Sequence, residues 1–219
     1  ETVTIQVVTE PNTDVVWSNT STQKTFDVSP TTTTTYSVTA MKNGCTTSAY
    51  TVVTVKDIPD IKLGSDLTVC KNSEVTLTAN DGTEWTWNTG YSTRSITVYP
   101  TVSYTYVVTA KKNNCTASED VAVTVLNLPV VDAGENKTIC DAGNVILLAT
   151  GASSYVWSSN ANNATTPQVS VSPTSTTTYI VTGTDSYGCT ASDQVLVSVN
   201  KTPDVDAGFD KTICYGEDV

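Results

Sequence analysis

Histidine is absent from the 219 residues, methionine occurs once and phenylalanine twice. Without an imidazole, the Ser-His-Asp and Cys-His pairings have no group to carry the proton, and zinc loses its commonest ligand. Cationic side chains are scarce as well: 11 Lys and Arg stand against 22 Asp and Glu, leaving a net charge of −11. Such a chain repels phosphate backbones and anionic lipid, so nucleic acid is not an expected partner. No apolar run approaches the roughly 20 residues that span a bilayer, so membrane insertion by a helix is not expected either. No targeting segment stands at the start of the chain. Gly-rich phosphate loops, a Gly-x-Ser-x-Gly elbow and Cys-x-x-Cys pairs are all missing. Acidic neighbours such as Glu119 with Asp120, and Asp204 with Asp206, fall on strand edges and connections. The chain is therefore not expected to be an enzyme.

Helical periodicity is missing too, and what replaces it is alternation and repetition. Val28-Ser-Pro30 followed by five Thr and Tyr36-Ser-Val38 recurs as Val98-Tyr-Pro100 through Tyr106-Val-Val108, and again as Val171-Ser-Pro173 through Tyr179-Ile-Val181. Each copy ends a strand at Val, stops the ladder with Pro, crosses on a Thr-rich stretch and opens a new alternating strand at Tyr. The other landmarks keep the same period. Trp17, Trp87 and Trp157 are 70 apart; Cys45, Cys115 and Cys189 are separated by 70 and 74, as are Cys70, Cys140 and Cys214. The chain is an array of one small β unit. Its expected units are residues 1–56, a repeat lacking its first strand; 57–127 and 128–201, two complete repeats; and 202–219, the first strand of a further one. It reads as a window cut from a longer polymer of domains.

About seven short strands per repeat, with Trp on the third and Tyr opening the penultimate one, describe a Greek-key β-sandwich. Trp17, Trp87 and Trp157 are expected at the centre of each core. Tyr36, Tyr106 and Tyr179 are expected as tyrosine corners, rings inward and hydroxyls bonded to upstream backbone. Trp85 lies on the same face as Trp87 and has no Trp counterpart in the other repeats, so it is either an exposed contact point or extra core.

Val130-Val-Asp132-Ala-Gly134 through Cys140, echoed by Val205-Asp206-Ala-Gly208 through Cys214, together with Tyr155-Val-Trp157 and Asp185-Ser-Tyr-Gly188-Cys189, resembles the PKD-like and immunoglobulin-like repeats of giant Bacteroidota surface proteins. The resemblance implies a secreted, cell-surface adhesin, exported by the type 9 route and related to gliding-motility filaments. The first two repeats depart from it, since Ile61-Lys-Leu-Gly64 replaces the Asp-Ala-Gly opening in the second. The fold class expected is all-β: tandem Ig/PKD-like Greek-key sandwiches arranged end to end as a rod. Neighbouring repeats are the expected partners, with surface polysaccharide or cell-envelope proteins beyond them. A stalk or fibre giving reach and stiffness is the expected function. The alternative is a carbohydrate-binding or spacer array attached to a secreted polysaccharide-degrading enzyme.

Six regularly placed cysteines without histidine favour disulfides in an oxidising compartment. Bonds inside one repeat would join Cys70 to Cys115 and Cys140 to Cys189. In a sandwich of this topology those partners lie at opposite ends, roughly 20 Å apart, where a disulfide needs Cα atoms within about 7 Å. Stacked repeats would instead bring Cys70 of one to Cys189 of the next. Both arrangements stand at this point; a third, joining Cys45 to Cys70, Cys115 to Cys140 and Cys189 to Cys214, ranks last. The joints are short in any case, because Val55, Val125 and Val199 each precede a Pro by four residues. No cofactor is expected. The weak calcium candidates are Asp132, Glu135, Asp204, Asp206 and Asp210, hard oxygen ligands near a joint.

Overall fold

Alternating Val, Thr and Tyr residues become strands throughout the computed structural model, which describes residues 1–216. The strands are β1 (Val3–Gln6), β2 (Asp14–Trp17), β3 (Thr25–Val28), β4 (Thr34–Lys42) and β5 (Cys45–Val53) in the first repeat. The second contains β6 (Leu67–Cys70), β7 (Val75–Thr78), β8 (Glu84–Trp87), β9 (Ser95–Val98), β10 (Tyr104–Lys112) and β11 (Cys115–Leu126). The third contains β12 (Lys137–Cys140), β13 (Val145–Leu148), β14 (Ser154–Trp157), β15 (Gln168–Val171), β16 (Thr177–Thr184) and β17 (Thr190–Asn200). Pairings fall into three sets, each a two-stranded sheet and a larger one: β1-β3 with β2-β4-β5, β7-β9 with β6-β11-β10-β8, and β13-β15 with β12-β17-β16-β14. The chain is a tandem of Ig-like β-sandwiches.

Each complete sandwich has six strands rather than the expected seven. The segment read as the start of the edge strand makes only one bridge, Asp132 to Thr150, before β12 pairs parallel with β17. Gly151 explains the close approach there. It holds φ +89°, and a Cβ on it would lie 1.8 Å from the Val130 carbonyl oxygen. The loop over residues 160–163 overlaps a short 3-10 turn, Ser159–Ala161.

Alternation decides which side chains go inward. Trp17, Trp87 and Trp157 are all but fully buried, and each indole N–H reaches a loop carbonyl: Gln23, Thr93 and Thr166 respectively. Burying about 200 Å² of such a ring at about 25 cal/mol/Å² is worth roughly 5 kcal/mol. Around Trp157 pack Leu147, Ala149, Val171, Tyr179, Val181 and Val195; around Trp17 pack Ile5, Val15, Val28 and Val38. On the outer face, Thr and Ser join across the hairpins at Thr39–Ser48, Thr109–Ser118 and Thr182–Ser192. The Thr-rich composition is thus a hydroxyl-paired coat.

The Tyr positions depart from the corner motif. Tyr106 and Tyr179 are buried and Tyr36 is half-buried, but among the described residues none of the three hydroxyls bonds upstream backbone. Burial raises the pKa of both Tyr106 and Tyr179, and the neighbouring Tyr104 adds a smaller push at Tyr106. Residues 201–216 form no strand, so the expected first strand of a further repeat is not built here. Residues 217–219, at the end of that expected unit, lie outside the described residues.

The chain forms two compact units, Glu1–Leu67 with Glu74–Val98 and Tyr104–Val123, and Thr68–Ser73 with Tyr99–Ser103 and Thr124–Val219. The division passes through the second sandwich, so unit boundaries and repeat boundaries do not coincide.

Candidate functional site: the Cys70–Cys189 joint

Cys70 ends β6, and Cys189 closes the turn between β16 and β17. The two are joined, with Cα atoms 5.5 Å apart and a sequence separation of 119. Both belong to the second compact unit. The bond runs from the first strand of one repeat to the last hairpin of the next. The alternative bonds inside one repeat, Cys70–Cys115 and Cys140–Cys189, are not formed, and Cys45, Cys115, Cys140 and Cys214 are free thiols. The reason is the strand direction: β12 runs parallel to β17, so Cys140 lies opposite Asn200, while Cys189 stands at the start of β17.

Local polar groups hold both cysteines in place. The Asp185 carboxylate accepts the N–H groups of Tyr187 and Cys189, fixing the Asp-Ser-Tyr-Gly turn, and Cys189 is fully buried. On the other side, Lys71 N–H donates to the Leu126 carbonyl and Asn72 N–H to that of Pro100. Chain direction past the joint is set in the same way. Asp141 N–H donates to the Asn200 carbonyl, and its carboxylate accepts the Thr202 N–H; hydrogen bonding from Thr202, through its side chain first and its backbone second, lowers the Asp141 pKa.

The first strand of each complete repeat is anchored by a residue four before its cysteine. Asp66 Oδ1 accepts the Ala122 N–H, and Asn136 Oδ1 accepts the Leu196 N–H. Upstream, Asp193 accepts the Ala133 N–H, which lowers its pKa. In the second repeat Asp81 plays the comparable part. It receives Lys112 Nζ at 2.9 Å and the N–H groups of Asp60 and Gly82, and these bonds, Lys112 first, bring its pKa to about 2. Sequence reasoning missed Asp81 and Asp193, because an acidic residue on a turn or strand looks the same whether its acceptors are used or solvated.

The calcium candidates do not converge. Asp132 and Asp206 each cap the glycine two residues on, Gly134 and Gly208. Asp204, Asp210 and Glu135 are exposed, and among the described residues no group of three or more acidic or Cys side chains could hold a metal ion. Trp85 is half-buried with its indole N–H on the Asp81 carbonyl. Its place two residues before the core Trp is that of Tyr155, whose hydroxyl likewise bonds a turn, at Ala152. It is packing, shared in kind with the third repeat. No described helix is long and apolar enough to cross a membrane.

No protein-family model and no curated protein sequence matches the chain. Solved structures that resemble it include a three-immunoglobulin-domain fragment of titin, 12% identical over 93% of both chains with a TM-score of 0.44. Extracellular domains 3–5 of Drosophila OTK are 10% identical, covering 91% of this chain and 92% of that one, with a TM-score of 0.33. The insect immune protein hemolin is 13% identical over 91% of this chain and 71% of its own, with a TM-score of 0.34.

Proposed function

We propose that the chain is a non-enzymatic stalk segment of a secreted bacterial surface adhesin, whose activity is to carry other parts of the molecule away from the cell under load. The observation that carries this reading is the covalent link between successive repeats, Cys70 to Cys189. A bond inside one sandwich would stabilise only that sandwich. A bond across a joint shields the stretch between the two cysteines, a sequence separation of 119, from extension. The disulfide and the paired hydroxyl coat suit an oxidising, extracellular setting. The motif resemblance to Bacteroidota repeats supports export by the type 9 route and kinship with gliding-motility adhesins. Neighbouring repeats are the partners in this reading, with surface polysaccharide or envelope proteins engaged elsewhere on the full adhesin.

Single-molecule extension from the two termini tests the load-bearing role. The oxidised chain is expected to unravel about 400 Å short of the reduced one, since 119 residues at about 3.4 Å each stay behind the bond. Equal contour lengths would remove the proposal. A glycan array in which the chain binds and Trp85→Ala does not would replace it with the carbohydrate-binding alternative.

A further inference from the structure

Two covalent connections run between the second repeat and the third, and both lie within the second compact unit. One is the backbone that follows β11. Val125 N–H donates to Ser103 Oγ and Lys71 N–H to the Leu126 carbonyl, so the second repeat holds the chain as far as Leu126. The third repeat takes hold of it at Asp132, which exchanges two backbone bonds with Thr150, and at Ala133, whose N–H donates to Asp193. Val130 is fixed just before, its carbonyl close against Gly151. Asn127, Leu128 and Pro129 are left between, in no strand. Proline locks its own φ and keeps the residue before it out of the helical region. The connection is therefore short, with its soft dihedrals concentrated at Asn127 and Leu128.

The other connection is the Cys70–Cys189 bond, and neither of its halves stands on a loose segment. Cys70 opens a turn closed by the Ser73 N–H on its own carbonyl, and the Asn72 N–H holds that turn to Pro100. Cys189 is tied both ways to Asp185: its N–H donates to the carboxylate, and its carbonyl accepts the Asp185 N–H. Its side chain is fully buried. The Cα atoms stand 5.5 Å apart, and a closed disulfide does not let them part beyond about 7 Å.

The two connections leave the second repeat from different strands. β6 and β11 are neighbours, with Lys71 bonded to Leu126, so their ends lie about 5 Å apart. They enter the third repeat at different places as well, the strap at Asp132 and the turn before β17. A backbone alone resists stretching once it is taut but offers little resistance to twist, because its N–Cα and Cα–C bonds rotate. Two domains joined by one short linker move against each other by default. A body held at one point can swivel in every direction. Held at two, it keeps only the rotation about the line through them.

We propose that the Cys70–Cys189 bond is a torsion lock: while it is closed the 127–129 linker cannot act as a swivel, and twist applied to one repeat is passed to the other. This goes beyond the stalk reading, which concerns extension. Stretching and twisting are separate demands, and the second attachment point answers the one that a linker by itself does not.

The full 219-residue chain, with Cys45, Cys115, Cys140 and Cys214 alkylated and the disulfide closed, is weakly aligned for NMR. Residual dipolar couplings are measured for the amides of β7 to β10 and of β13 to β17. Swivelling averages the couplings of one repeat relative to the other. With the bond closed, the two sets are expected to give alignment tensors of equal magnitude. In Cys70→Ser the magnitudes are expected to diverge, and the smaller tensor to lose its rhombic part, because rotation about one axis averages the components across it. Unchanged Trp87 and Trp157 indole shifts show that both sandwiches remain folded. Wild-type chain reduced with a water-soluble phosphine reaches the same open state without a substitution: the disulfide becomes two thiols, and the phosphine takes oxygen from water to become its oxide. Equal magnitudes with the bond open, or unequal magnitudes with it closed, would overturn the proposal. Neither result alters the contour length read in single-molecule extension, so the stalk reading stands or falls separately.

Discussion

Asp81 shows how one acidic side chain can matter in a chain that has 22 of them. Its carboxylate collects Lys112 Nζ and the backbone N–H groups of Asp60 and Gly82, tying the segment before β6 to the β10–β11 hairpin. The folded pKa, about 2, lies below the ordinary 3.8. A depressed carboxylate contributes stability that is present above the ordinary value and is lost as pH falls from 3.8 toward 2. Asp81→Asn is therefore expected to lower the melting temperature at pH 7 and to flatten its fall between about pH 4 and about pH 2, compared by thermal scans of both proteins across that range. Unchanged slopes would show that Asp81 is solvated instead. Asp185, by contrast, acts locally, shaping the turn that presents Cys189.

At the scale of elements, the third repeat is a hairpin with a parallel strand laid on its outer edge. β16 and β17 supply the hairpin, β12 the parallel strand, and the stretch before β12 crosses to the other sheet through Asp132. Gly151 is what allows that crossing, because any side chain there collides with the Val130 carbonyl and must also adopt φ +89°. Gly151→Ala is expected to cost about 1–3 kcal/mol by urea unfolding, and to expose the 130–133 amides to hydrogen exchange while leaving those of β1–β5 unchanged. Protection that persists at Asp132 and Ala133 would refute the crossing as the critical element. The Pro/Thr crossings were legible beforehand because Pro removes a ladder donor wherever it stands. The single bridge at Asp132 was not, since nothing in Val130-Val-Asp132 separates a strand from a strap.

For the molecule as a whole, the disulfide is a constraint on the unfolded chain as much as on the folded one. Closing 119 residues corresponds to about 4–5 kcal/mol in a loop-entropy account, and removal of comparable bonds costs about 2–5 kcal/mol. Both cysteines belong to the second compact unit. Cys70→Ser is expected to lower the calorimetric transition that reports Thr124–Val219, leaving the transition of residues 3–53 in place. A uniform shift of both would mean that the units do not unfold separately.

Repetition, the all-β character, the core Trp residues and the absence of any imidazole chemistry were determined by sequence alone, because each follows from residue type and period without knowledge of what lies opposite. Connectivity was another matter. Spacing allowed Cys70 to reach either Cys115 or Cys189, and Tyr179 could have bonded upstream backbone or simply packed. Only the tertiary structure decided these, by laying the first strand parallel to the last. Which cysteine meets which depends on strand direction, and a strand's own sequence reads alike beside a parallel or an antiparallel neighbour.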